Sequence, residues 1–200
     1  MENILLVVLL VFLALVVVAA LWGVGIYNGL VGLRNAARNA FSQVDVQLKR
    51  RYDLIPNLVA SAKGYMAHES GTLTAVIEAR AKATQANIRL AGDPSDPAAM
   101  RELSQAEAGL SGALGRLLLV AEQYPQLKAD AAVRSLMEEL TSTENRIAFS
   151  RQAFNDAVLR YNNGREVFPQ VLIANTFGFA AAEFFRIEDA AEKAAPKVAF

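Results

Sequence analysis

ILLVVLLVFLALVVVAALW, residues Ile4–Trp22, runs without a charge, a proline or a glycine. At about 1.5 Å per residue a helix over this stretch is roughly 28 Å long, which matches the ~30 Å hydrocarbon core of a bilayer. Residues 1–26 therefore read as a transmembrane anchor. A cleaved signal peptide needs a basic start, an apolar core of about 7–15 residues and a small-residue cleavage site. Met1-Glu2-Asn3 offers no Lys or Arg, and the apolar run is too long. Trp22 and Tyr27 suit the headgroup level, where amphipathic rings sit between tails and water. Arg34 and Arg38 follow the anchor and only the amino terminus precedes it, so the positive-inside tendency places the C-terminal part in the cytoplasm.

Outward from the anchor, apolar residues recur at three- and four-residue intervals: Leu30, Leu33, Ala37, Phe41, Val44, Leu48, Tyr52, Ile55, Val59, Ala62, Met66, Leu73, Val76. Such a stripe marks a helix that packs along another. Pro56 lies inside it and crowds the carbonyl of Tyr52, which predicts a kink, with Gly64 and Gly71 as the next places to turn. The glycine, prolines and aspartates of residues 91–97 end this helix; Asp96 as N-cap and Pro97 at the first position start another. Tyr124-Pro125 breaks that one, and Asp130 caps the next. Val133, Leu140, Ile147, Phe154 and Tyr161 then fall at seven-residue spacing, a bundle seam. The expected architecture is all-α: a single N-terminal transmembrane helix continuing into an antiparallel bundle of long helices over 27–167 (helices about 27–90, 97–122 and 129–163). Residues 168–200 form a Phe-rich cap with a last short helix. Glu183, Glu188, Asp189 and Glu192 disfavour laying that tail on an anionic membrane surface.

Cysteine is absent, which excludes disulfides, thiolate metal sites, a lipoprotein cysteine and cysteine nucleophiles. Lys+Arg and Asp+Glu balance at 20 each, so no basic field recruits nucleic acid. His68-Glu69 lacks the second histidine, four residues on, that a zinc helix needs. Ser111 in Gly109-Leu110-Ser111-Gly112-Ala113 lacks the final glycine of a nucleophile elbow and a histidine base; Gly109, Gly112, Ala113 and Gly115 read instead as a close-packing surface. Glu138 with Glu139, and Glu188 with Asp189, are adjacent in sequence and diverge on a helix. No catalytic, cofactor or metal residue is expected.

Three groups remain as contact candidates. Asp45, Lys49, Arg50, Arg51 and Asp53 form a charged face with four-residue ion-pair spacing. On a continuous helix from Trp22 this face lies roughly 40 Å from the bilayer, several times the Debye length of about 8 Å, so pairing or partner docking outranks lipid contact. Glu144, Asn145, Arg146 and Arg151 interrupt the apolar seam, where a buried charge needs a counter-charge; Arg50, Arg51 or Glu69 could supply it. Ala19, Gly23, Gly25 and Gly29 place small residues at the inner end of the anchor, a pattern that favours helix association in lipid.

The stretches AFSQVDVQLKRRYDLIPNLVASAKGYMAHE (40–69), YPQLKAD (124–130), LTSTENRIAFSRQAFNDAVLRYN (140–162) and ANTFGFAAAEFF (174–185), with YNGLVGLRN (27–35) after the anchor, resemble the LemA family. The resemblance implies a single-pass bacterial membrane protein with a helical bundle and offers no catalytic residues to carry over. It also implies company with membrane peptidases and kinship with proteins that shape internal bacterial membranes. The expected role is a non-enzymatic scaffold that forms a homo-oligomer at the bacterial cytoplasmic membrane. The alternative is a regulatory adaptor or receptor for a membrane peptidase or other membrane enzyme.

Overall fold

The computed structural model describes residues 1–66, 68–92 and 94–186. Among them stand six helices and no strand: α1 (Glu2–Lys63), α2 (Ser70–Gly92), α3 (Pro97–Ala121), α4 (Pro125–Ala129), α5 (Ala131–Glu166) and α6 (Gln170–Thr176). The all-α reading and the long apolar N-terminal helix hold, and the helices pack as a bundle.

Two boundaries differ from the sequence expectation. The single helix expected over 27–90 is divided, because the amides of Tyr65 and Met66 both turn back onto the Ala62 carbonyl at 3.0 Å and close α1. Met66 is fully buried, so the apolar stripe stays in phase across a connection that is not helical. The helix expected over 129–163 is preceded by a separate short turn of helix, α4, and begins after Asp130. Oδ1 of Asp130 accepts from the amides of Ala132 (2.8 Å) and Val133 (3.2 Å), the capping role expected of it. The Tyr65 hydroxyl donates to its other oxygen at 2.8 Å, and this bond, followed by the two amides, holds the Asp130 carboxyl below the usual carboxylate range. Asp96 caps α3 through the Ala98 amide, with Pro97 at the first position, as the sequence reads.

Pro56 leaves α1 unbroken. Proline at this position denies the Tyr52 carbonyl its helical amide, and Arg80 of α2 replaces it: Nε donates to the Tyr52 oxygen at 2.6 Å. Removing the substitute donor strands a carbonyl inside the bundle. Arg80→Ala should therefore cost about 1–3 kcal/mol in chemical denaturation of the detergent-solubilised chain, and in a Pro56→Ala background, where the helix supplies its own amide, the loss should shrink.

The described chain divides into two compact units, to which α1 and α5 both contribute. The larger runs from Arg38 to Asn155 and takes up the chain again at Glu183. Its core is built from the stripes Phe41, Val44, Leu48, Ile55 and Leu58 of α1, Leu103, Leu110, Leu114 and Leu117 of α3, and Val133, Leu140, Ile147 and Phe154 of α5, with Leu73, Val76 and Leu90 of α2. Phe185 is fully buried here, and Asn155 grips its backbone on both sides: the Phe185 amide donates to Oδ1 at 2.9 Å and Nδ2 donates to its carbonyl at 3.2 Å.

The smaller unit comprises Met1–Ala37 and Asp156–Ala182. Leu30, Tyr161, Ala174 and Phe179 form its buried cluster, with Ile26, Leu33 and Ile173 packed around it. The Tyr27 ring meets Phe177 and Phe179 edge-on at 5.1 and 5.4 Å, and the Arg34 guanidinium lies over Phe179. Asn162 repeats the asparagine grip one heptad on, bonding both the amide and the carbonyl of Ala182 at 2.9 Å. Arg165 and Tyr161 hold the Phe179 and Ala180 carbonyls. The short helix expected before Pro196, with Glu188, Asp189 and Glu192, lies outside the described residues.

Candidate functional site

The stripe of α3 reads Met100, Leu103, Glu107, Leu110, Leu114, Leu117, Ala121, an alternation of three and four residues in which one position is a carboxylate. That of α1 reads Phe41, Val44, Leu48, Arg51, Ile55, Leu58, Ala62, with one guanidinium, and α5 carries Glu144 between Leu140 and Ile147. Helical period alone turns all three charges inward. They meet. Arg51 and Glu107 are completely buried and form an ion pair through Nη2 and Oε2, while Nη1 of Arg51 donates to both oxygens of Glu144 at 2.8 and 3.0 Å.

Polar neighbours complete the layer. The Tyr52 hydroxyl donates to Oε1 of Glu107 in a short hydrogen bond and approaches the Ala83 carbonyl. Burial pushes the Tyr52 phenol well above its ordinary value, against the opposing pull of the Arg51 charge, so it stays a neutral donor at physiological pH. Ser111 accepts from Nη1 of Arg51 at 3.4 Å, which gives this serine a structural hydrogen bond. Nε of Arg51 has no hydrogen-bond partner among the described residues. Two full charges and a half-exposed third, held by fixed donors, make a layer that sets the rotation of α1, α3 and α5 in this unit.

The remaining sequence candidates fall around this layer. Lys49 pairs with Asp45 at 2.8 Å, the expected exposed four-residue pair, and Asp45 also accepts from the buried amide of Asn87 on α2. Asp53 is exposed and stands outside these bonds. Arg50 reaches Glu139 of α5 at 2.6 Å in an exposed pair. Of the group that interrupts the α5 seam, Glu144 alone takes a buried partner among the described residues. Asn145 and Arg146 face outward, because they sit one and two positions past the inward register, and Arg151 is partly buried; neither arginine is in an ion pair among the described residues. Asn145 and Arg146 instead line a groove of about 490 Å³ between α1 and α5, with Gln43, Gln47 and Phe149, whose ring is 77% exposed. Glu107, the Tyr52 hydroxyl, Arg80 and the two gripping asparagines escaped the sequence reading; the three-four alternation of α3 was the signal for Glu107.

In the smaller unit Ala19 is exposed on the apolar run. A Cβ built at Gly23 would lie 3.8 Å from Ile173 of α6, so this glycine faces the chain's own α6. Gly25 and Gly29 face open space and line a groove with Leu21, Trp22, Leu33, Gly164 and Gln170.

Residues 40–200, which hold the ionic layer and both asparagine grips, match the profile of the LemA family. The chain belongs to the LemA family. Magnetosome protein MamQ of Magnetospirillum gryphiswaldense is 27% identical to this LemA-family chain over 184 residues, 83% of the chain and 66% of the relative. Magnetosome protein MamQ 2 of Paramagnetospirillum magneticum is similar to the same degree. Protein LemA of Metamycoplasma hominis is 26% identical over 171 residues, 82% of this chain and 74% of its own length. The chain spans just under two thirds of the length of the MamQ relatives. With its exposed apolar helix, this LemA-family member is a membrane-associated helical protein.

Proposed function

We propose that the protein is a non-enzymatic organiser that self-associates at the bacterial cytoplasmic membrane, anchored by one pass and carrying its C-terminal part in the cytoplasm. The observation that carries this reading is the helix α1: its first turns, Ile4 to Trp22, bury nothing within the chain, whereas its later turns supply the bundle core. An apolar helix left this bare needs lipid around it. Kinship with magnetosome proteins supports a membrane address. Self-association draws on the open Gly25/Gly29 groove, since in lipid it is close backbone approach that drives helices together. Confinement to a plane then multiplies weak contacts into an assembly.

Cysteine crosslinking in native membranes tests it, in a chain free of other thiols. Gly25→Cys and Gly29→Cys should form disulfide-linked dimers under mild oxidation, and Leu10→Cys, outside the groove, should do so at least several-fold less. Filling the groove with Gly25→Leu and Gly29→Leu should abolish the association that a second reporter, such as energy transfer between labelled copies, detects. A chain that stays monomeric at every density overturns the reading.

The groove between α1 and α5 favours the adaptor reading as a second one. Arg146, in no ion pair among the described residues, offers a cation beside the bare ring of Phe149, a combination that suits an acidic, apolar segment of a membrane enzyme. A photo-crosslinker at position 149 that captures one defined membrane protein, and not a second copy, would favour the adaptor over the scaffold.

A further inference from the structure

From Val167 to Ala182 the chain carries no charged side chain, flanked by Arg165-Glu166 and Glu183. Part of this run is spent on the core of the smaller unit: Ala174 and Phe179 are buried, and Ile173 packs against them. The rest faces outward. Phe168 is 79% exposed, Leu172 58% and Phe177 60%, and Val167 is exposed beside them. Apolar side chains rarely cluster bare on a water-facing surface.

The position of this patch names its occupant. Ile173 of α6 stands where a Cβ added at Gly23, the first residue after the apolar run of the anchor, would meet it at van der Waals distance. Gln170 shares a groove with Leu21 and Trp22. Phe177 stacks edge-on to Tyr27, five residues beyond Trp22 and so about 7 Å past the end of the apolar run. The headgroup layer on each side of a bilayer is itself about 5–7 Å thick. All of α6 thus lies at the depth where tails give way to headgroups. Its composition fits that depth: Leu172 and the flanking phenylalanines present apolar surface, Asn175 and Thr176 present hydrogen-bonding groups, and Arg34 and Arg165 stand just beyond, each against Phe179.

We infer that the segment Phe168–Phe177, with α6 at its centre, is a second membrane contact that lies in the interface beside the anchor. This rests on the reading of Ile4–Trp22 as a membrane span. The tail expected to close the bundle therefore divides its labour: Phe179 and Phe185 are buried in protein, and Phe168, Leu172 and Phe177 are covered by lipid. The acidic residues that argued against a lipid contact all lie beyond Ala182, outside the uncharged run.

Single-cysteine variants of the full chain, labelled with an environment-sensitive fluorophore in phosphatidylcholine–phosphatidylglycerol vesicles, test it. Leu172→Cys is the probe, Val11→Cys reports the anchor and Leu119→Cys reports an exposed site on α3. A nitroxide near the lipid headgroup should quench the label at 172 several-fold more than one deep in the acyl chains, and iodide should reach it poorly. The label at 119 should be quenched readily by iodide and by neither nitroxide. If position 172 behaves like 119 while 11 is quenched by the deep nitroxide, the anchor stands and the interfacial contact is wrong. If neither 172 nor 11 is quenched, the membrane span itself falls, and the contact with it. Protection of 172 from iodide without quenching by any lipid nitroxide would mean that protein covers the patch, which also overturns the inference.

Discussion

Arg51→Ala should lower the stability of the chain by about 3–5 kcal/mol. The reason lies in what remains. Glu107 has no solvent to turn to, because it is completely buried, and the Tyr52 hydroxyl alone cannot balance a full negative charge. Glu107→Ala should cost a similar amount by stranding the guanidinium, whose remaining carboxylate, Glu144, is more than a third exposed. Glu144→Ala should cost only about 0–1 kcal/mol, since solvent screens and can replace that partner. The test is a double-mutant cycle read by far-ultraviolet circular dichroism during denaturation of the detergent-solubilised chain. Replacing both buried charges at once, Arg51→Met with Glu107→Leu, should recover most of the loss, because one guanidinium N–H of the intact layer has no partner among the described residues. Additive single effects with no recovery in the double variant would show that the two charges do not act as a pair.

This layer also shows what a sequence exposes and what it hides. The seam of α5 is visible because every seventh residue is large and apolar, and the anchor because nothing interrupts it. Arg51 was legible as a possible counter-charge to Glu144, which it meets, but not as a residue of the inward register of α1. A reading that follows apolar residues steps from Leu48 to Tyr52, one position off the inward register, and both faces are in fact occupied: Tyr52 and Val59 are buried beside Arg51, Ile55 and Leu58. Glu107 sits between two alanines and looks like surface until its helix is counted in threes and fours. Whether an inward charge is tolerated depends on a counter-charge more than fifty residues away, a property of the assembled bundle rather than of any window. The end of α1 shows in Gly64, one of the places named for a turn, and not in the hydrophobic period. Met66 keeps the stripe in phase, so hydrophobic period sees no boundary where the backbone makes one.

Phe185→Ala should destabilise the chain by about 3–5 kcal/mol, although the residue belongs to a segment with no regular secondary structure. A buried phenylalanine removes its whole side chain from water, and a close-packed interior relaxes only partly into the space it vacates. Position depends on Asn155, which satisfies both backbone groups of Phe185 from a single amide. Asn155→Asp keeps the acceptor for the Phe185 amide but turns the donor into an oxygen facing the carbonyl, so it should cost about 1–3 kcal/mol. Unlike the alanine change, this loss should ease as the pH falls and the carboxyl gains a proton to donate. The two substitutions act on one contact, ring and grip, and should be strongly non-additive, since a side chain lost from the core leaves the grip little to position. Measured together by denaturant titration, independent and fully additive losses would mean that the asparagine holds the backbone for its own sake. A Phe185→Ala loss below about 0.5 kcal/mol, the range of ordinary surface substitutions, would mean that the extended segment does not close the core at all.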